Sequence, residues 1–202
     1  MTGSHLLWFT TRGAGALSLV LLSLVVALGL LGAVSGRNPR WPRFLVTTLH
    51  RNLALLGLVF LAIHVVTAVL DPFTALGWGA ALVPWGSSYR PLWVAIGVLS
   101  LYLGAAVIVT SLLRRWLSYR AWRFVHWSAY ALWPLALIHS LGAGSDTRFM
   151  WMDTVYTACC AVVAVFFVIR LARRKANAPE PLPEYPGGPP RWSQLDAGLR
   201  RR

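Results

Sequence analysis

The chain has 202 residues, 57% of them hydrophobic and only 12% charged, with a mean hydropathy of +0.59. Soluble domains carry about 25% charged residues, so the composition excludes an ordinary soluble fold. The net charge of +13 lies in short clusters between apolar runs rather than on one face, which argues against nucleic acid as a partner.

The first apolar run extends from about Leu6 to Val34, broken only by Arg12 near its start. It is longer than a signal-peptide core, and the stronger positive charge follows it, so it is read as a retained transmembrane helix. The basic loop GRNPRWPR comes next, with Arg37, Arg40 and Arg43; Pro39 and Pro42 suit a non-helical connection. A second span is predicted over Phe44 to Leu70, ended by Asp71-Pro72. Residues 71–90 read as a loop rich in Gly, Pro and Trp, whose aromatics suit the headgroup interface. The third span runs from about Pro91, well placed in a first turn, to Leu113. Arg114, Arg115, Arg120 and Arg123 mark another basic loop before a fourth span at about Ala121 to Leu141. The fifth covers about Trp151 to Leu171. The expected organisation is one membrane domain over residues 1–172 and a basic, Pro- and Gly-rich tail over 173–202, extended or disordered. Cys159 and Cys160 are adjacent within an apolar run and offer neither a disulfide framework nor a zinc pattern.

Five spans of about 20 residues or more each suffice to cross a core of about 30 Å. The fold class is therefore an all-α integral membrane bundle of about five helices. Its orientation follows from the basic residues. The N-terminal segment, second loop and fourth loop hold Arg12, Arg90 and Arg148, while the first loop, third loop and tail hold the other sixteen of nineteen Lys and Arg. The N-terminus is thus expected outside and the C-terminus in the cytoplasm, in a multi-pass protein of a bacterial plasma membrane.

Two of these spans carry paired histidines. In LHRNLALLGLVFLAIHVVTAVL the interval from His50 to His64 is fourteen residues; in RFVHWSAYALWPLALIHSL the interval from His126 to His139 is thirteen. At about 1.5 Å per residue both intervals separate the rings by about 20 Å along the axis. The second and fourth spans run in the same direction, so His50 and His126 share one depth and His64 and His139 another, each about 10 Å from the midplane. Imidazole is a strong ligand for haem iron, and an ionisable ring inside a bilayer marks a functional site by default. Two facing imidazoles fill both axial positions of an iron, leaving an electron-transfer centre. The phase is less tidy than the depth. Fourteen residues return to within about 40° of the starting face, whereas thirteen leave the rings well over about 90° apart. Pro134 lies between His126 and His139, and an interior proline shifts the phase of a helix.

The two segments LHRNLALLGLVFLAIHVVTAVLD and AWRFVHWSAYALWPLALIHSLG, with their histidine intervals, resemble the ferric reductase-like transmembrane domain. That haem-bearing core is shared by ferric reductases, NADPH oxidases and the sulfoxide-reductase haem subunit, and the similarity covers about residues 8–172. The resemblance implies two haems b, an inner one held by His50 and His126 and an outer one held by His64 and His139. Haem propionates favour arginine; Arg51 and Arg123 lie beside the inner pair, and Arg12 and Arg90 at the outer level, although orientation and lipid phosphate explain such residues equally well. Many members have six spans, and many carry a cytosolic flavin and nicotinamide domain into which the proline-rich tail cannot fold. A partner at the cytoplasmic face (a flavoprotein, reduced flavin or quinol) is therefore expected to supply electrons to an extracytoplasmic acceptor, with ferric iron one candidate. The chain reads as an oxidoreductase subunit rather than a complete enzyme. Two rivals are a metal-ion transporter using the histidines, which needs ligands converging at one depth, and a non-redox membrane anchor.

Overall fold

The computed structural model describes residues 2–32 and 42–176. Within them every regular element is helical: α1 (Thr2–Gly32), α2 (Arg43–Leu70), a short α3 (Gly77–Leu82), α4 (Pro91–Leu112), a 3-10 turn (Arg114–Trp116), α5 (Tyr119–Trp127), α6 (Ala129–Ala143) and α7 (Met150–Ala176). The chain thus forms the all-α membrane bundle its composition calls for. Four helices are long and apolar enough to cross a bilayer, over His5–Gly32, Arg43–Leu70, Pro91–Leu112 and Met150–Arg174. Most of the first basic loop, and the tail beyond residue 176, lie outside the described residues. The expected start of that tail at residue 173 falls inside α7, which stays helical through Ala176.

The count of five continuous spans needs one correction. The fourth, expected over about Ala121 to Leu141, is two helices that meet at Ser128. The Ser128 N–H bonds the Val125 carbonyl at 3.0 Å, and the Ser128 hydroxyl donates to the same oxygen at 2.7 Å. The Ser128 N–H thus reaches three residues back rather than four, and the regular ladder lapses. The Ala131 and Leu132 N–H groups then both bond the Ser128 carbonyl at 2.9 Å, and α6 begins. Pro134 lies inside α6 and has no N–H to offer the carbonyl four residues back, so the first turn of the new helix is weakly tied to the second. Nine and fifteen residues make about 14 and 22 Å of helix, each short of a bilayer core.

The loops follow from local chemistry. Asp71 ends α2 in extended backbone, and its carboxylate accepts the Phe73 N–H at 3.0 Å. Arg90 takes the left-handed conformation (φ 42°), and Pro91 opens α4 directly after it. Residues 71–90, expected as pure loop, contain the six-residue α3.

Helix α1 is the hub of the bundle. It packs along α2, α7 and α6, whereas α2 packs only along α1 and touches α3, and α4 packs on α6 and α5. Leu19, Ser23, Val26, Ala27 and Leu30 of α1 are buried. On α2, by contrast, Val46 is the sole buried residue. The side of α2 facing α5 and α6 is therefore left without close helix packing. Hydroxyls inside the spans are satisfied by their own helices: Ser18, Ser23, Thr67 and Thr110 each donate to the carbonyl four residues earlier at 2.7–2.8 Å.

One buried polar pair ties α1 to α6. Trp133 donates its indole N–H to the Ser23 hydroxyl oxygen at 2.9 Å, and Ser23 is 2% exposed. Ser23→Ala strands that N–H in apolar surroundings and should cost about 1–3 kcal/mol in unfolding measured in detergent. The double variant with Trp133→Phe should lose less than the sum of the two single changes, because neither partner is then left unpaired.

Candidate functional site

The four intramembrane histidines come together as two pairs. His50 and His126 have ring centres 6.1 Å apart with planes at 58°, and His64 and His139 have centres 6.4 Å apart at 77°. Each pair takes one ring from α2 and the other from the α5–α6 segment. This pairing makes α2 parallel to α5–α6, as the two matched depths require. The break at Ser128 lies between His126 and His139, so the thirteen-residue interval is not carried by one continuous helix.

Three of the imidazoles are fixed by backbone. His50 donates Nδ1–H to the Val25 carbonyl at 3.0 Å, His64 to the Thr11 carbonyl at 2.8 Å, and His139 to the Trp93 carbonyl at 2.8 Å. A carbonyl can only accept, so Nδ1 carries the proton in each and the Nε2 lone pair is free. That is how metal-binding histidines are commonly held, with the second nitrogen setting tautomer and ring orientation. His126 differs: its Nδ1 is buried and has no hydrogen-bond partner. The ring is instead stacked on Trp122, with centres 4.9 Å apart and planes at 24°.

The ring separations are compatible with an iron porphyrin between each pair. Two imidazole nitrogens at roughly 2 Å from one metal, each about 1 Å in front of its ring centre, place the ring centres about 6 Å apart. Both pairs meet that distance. Among the described residues no group of three or more His, Cys, Asp or Glu side chains gathers at one point. The donors come in twos, the number of positions a planar tetrapyrrole leaves open.

The four expected arginines divide into two kinds. Arg12 is ion-paired with Asp146, and its guanidinium sits 3.7 Å from the centre of the Trp8 ring. Arg90 donates to the Gly142 and Gly144 carbonyls at 2.5 and 3.4 Å, at the C-terminal end of α6. Both lie at the His64–His139 end, as the sequence suggests, yet both are already engaged by protein. At the other end Arg123 stands over Trp127 at 5.1 Å, and exposed Arg51 follows His50 directly. Neither has a carboxylate partner among the described residues. An anionic group is therefore better met at Arg51 and Arg123 than at Arg12, whose charge Asp146 already balances.

Sequence reasoning misses the three orienting carbonyls, since a backbone acceptor leaves no signature in residue type. It also misses the stack of Trp122 on His126 and the pairing of Asp146 with Arg12; Asp146 reads in sequence as a helix terminator. Residues 14–137 match the family model described as ferric reductase like transmembrane component. The match includes His50, His64 and His126 and stops two residues before His139. No curated protein and no solved structure matches the chain.

Proposed function

Because the chain belongs to the ferric reductase-like transmembrane family, a family of membrane electron-transfer modules, we propose that it is a di-haem b cytochrome subunit. His50 and His126 hold an inner haem and His64 and His139 an outer one. The observation that supports this most directly is the pair of ring separations, 6.1 and 6.4 Å, combined with the Nε2 atoms that the carbonyl bonds leave free on His50, His64 and His139.

Haem b held by these histidines would supply a one-electron ferric/ferrous couple. The protein's work lies in its own groups. The carbonyls of Thr11, Val25 and Trp93 hold three imidazoles in one tautomer and one orientation. The apolar faces of α2 and α6 keep water from the rings, and the side of α2 left without helix packing provides room between them. Arg51 and Arg123 meet the propionates of the inner haem, while Arg12 and Arg90 brace the outer end through Asp146 and the end of α6.

The excess of basic residues in the first loop, third loop and tail supports the N-terminus outside and the C-terminus in the cytoplasm. Electrons then pass from a cytoplasmic-side flavoprotein, flavin or quinol toward an extracytoplasmic acceptor, ferric iron among the candidates, across a bacterial plasma membrane. The test is the reduced-minus-oxidised absorbance spectrum of the purified protein with a haem count. A red preparation with a Soret band, reducible by dithionite and holding about two haems per chain, is expected from two bis-histidine sites. A colourless preparation removes the proposal, and leaves the transporter and anchor readings to be separated by metal binding.

A further inference from the structure

The three fixed imidazoles share a second feature. Each ring lies over a glycine placed four residues after the carbonyl that accepts its proton. His64 bonds Thr11 and lies over Gly15; His50 bonds Val25 and lies over Gly29; His139 bonds Trp93 and lies over Gly97. On α1 the two carbonyls are fourteen residues apart and so are the two glycines, matching the fourteen residues between His50 and His64 on the antiparallel α2.

The spacing has a simple cause. A helix residue four positions on sits one turn further along the same face. Its β-carbon would occupy the place where an imidazole must lie flat to reach the carbonyl. A Cβ built at Gly97 falls 2.5 Å from Nδ1 of His139, and one at Gly15 falls 2.8 Å from Nδ1 of His64. At Gly29 the nearest atom, Cε1 of His50, is 3.5 Å away, an ordinary contact.

His126 is the exception that follows the same logic. Counting thirteen or fourteen residues along α4 from Trp93 and Gly97 leads to Ala106 with Thr110, or to Val107 with Ser111. Both sites carry a β-carbon where glycine stands elsewhere. Thr110 donates its hydroxyl to the Ala106 carbonyl at 2.7 Å, and Ser111 donates to the Val107 carbonyl at 2.6 Å. At both positions the helix carbonyl already accepts a side-chain hydroxyl, and Nδ1 of His126 has no hydrogen-bond partner.

We propose that Gly15 and Gly97 are positioning residues: each clears the floor on which one imidazole of the outer pair is held against a helix carbonyl, fixing ring plane and tautomer for the metal, whereas the floor at Gly29 has room for a β-carbon. This rests on the di-haem reading. The test is alanine substitution at each position, with haem stoichiometry, low-spin electron paramagnetic resonance signals and midpoint potentials measured in purified protein. Gly15→Ala and Gly97→Ala should each disturb the outer haem, lowering its occupancy about tenfold or more or shifting its low-spin signal and potential. The inner haem should keep its wild-type signals in both, which also reports that the bundle is folded. Gly29→Ala should be nearly silent, as should Gly104→Ala, where an added Cβ meets only the Leu132 methyls at 3.7 Å.

If the outer signature is unchanged in both Gly15→Ala and Gly97→Ala, or if both haems are lost equally, the positioning role is wrong while the wild-type haem count still stands. A wild-type protein without haem defeats the underlying reading instead, whatever the variants do.

Discussion

His64→Ala and His139→Ala should each lower the haem content from about two per chain to about one, and the haem that survives should be the same in both. His50→Ala and His126→Ala should remove the other. The expectation follows from the separation of the tiers. Fourteen residues of α2 put about 21 Å between them along the helix, and no side chain is shared. Each tier draws its orienting carbonyls from different turns: Thr11 and Trp93 serve one, Val25 the other. Losing one of two axial ligands frees a coordination position, and a haem held by a single imidazole in an apolar slot should dissociate during purification. Combining His64→Ala with His139→Ala should add nothing to either change alone, because the pair acts as one site. Imidazole added to the growth and purification buffers should restore the missing haem to His64→Gly, since the free base fits the space the side chain vacates. Rescue separates a ligand from a residue that merely supports packing. Equal loss of both haems from any single variant would count against separate sites.

Much of this site is legible in residue type and spacing. Matched histidine intervals on two spans of the same direction predict two tiers, and the helices place the rings that way. The distribution of basic residues puts Arg12 and Arg90 at one end and Arg123 at the other, where they are found. Helix ends are legible where chemistry marks them: Asp71 closes α2, and Pro91 opens α4 after a left-handed Arg90. The broken fourth span is harder. Pro134 draws attention to a kink, but the discontinuity falls six residues earlier, at a serine whose N–H and hydroxyl compete for one carbonyl. Serine in a membrane helix more often bonds its own helix without breaking it, as Ser18 does, so residue type alone does not locate the break. The carbonyls under the imidazoles are invisible for a different reason, since any residue supplies one. Their trace in the sequence lies in Gly15 and Gly29, whose spacing repeats that of His50 and His64 on another helix. Glycines in membrane helices are usually read as sites of close helix approach, and only the ring lying above each shows which use applies.

Trp122→Leu should weaken the inner haem and leave the outer one alone. The inner tier is built unequally: His50 is pinned through Val25, while His126 has no partner for Nδ1. What limits that ring is the indole of Trp122 stacked on it, and the indole is itself held. Arg114 lies 4.3 Å from its centre on a cation–π contact, and its N–H reaches the Ser111 hydroxyl at 3.4 Å. Leucine keeps apolar bulk but removes the flat surface, the cation contact and the hydrogen bond together. The imidazole then gains rotamers, and with Nδ1 unbonded it also gains a choice of tautomer. Loss of a partner that orients a ligand typically costs tenfold to a hundredfold in metal affinity, and that is the range expected for inner-haem retention. A looser axial ligand also yields more readily to an added one. Carbon monoxide should therefore react with whatever inner haem Trp122→Leu retains, against little or none of the haem in the wild type, as expected where one of two haems loses firm axial ligation. The reactive haem should be the one that His64→Ala retains and His50→Ala lacks. Reaction at the outer haem, or at both, would show that the stack on His126 does not set the strength of its tier.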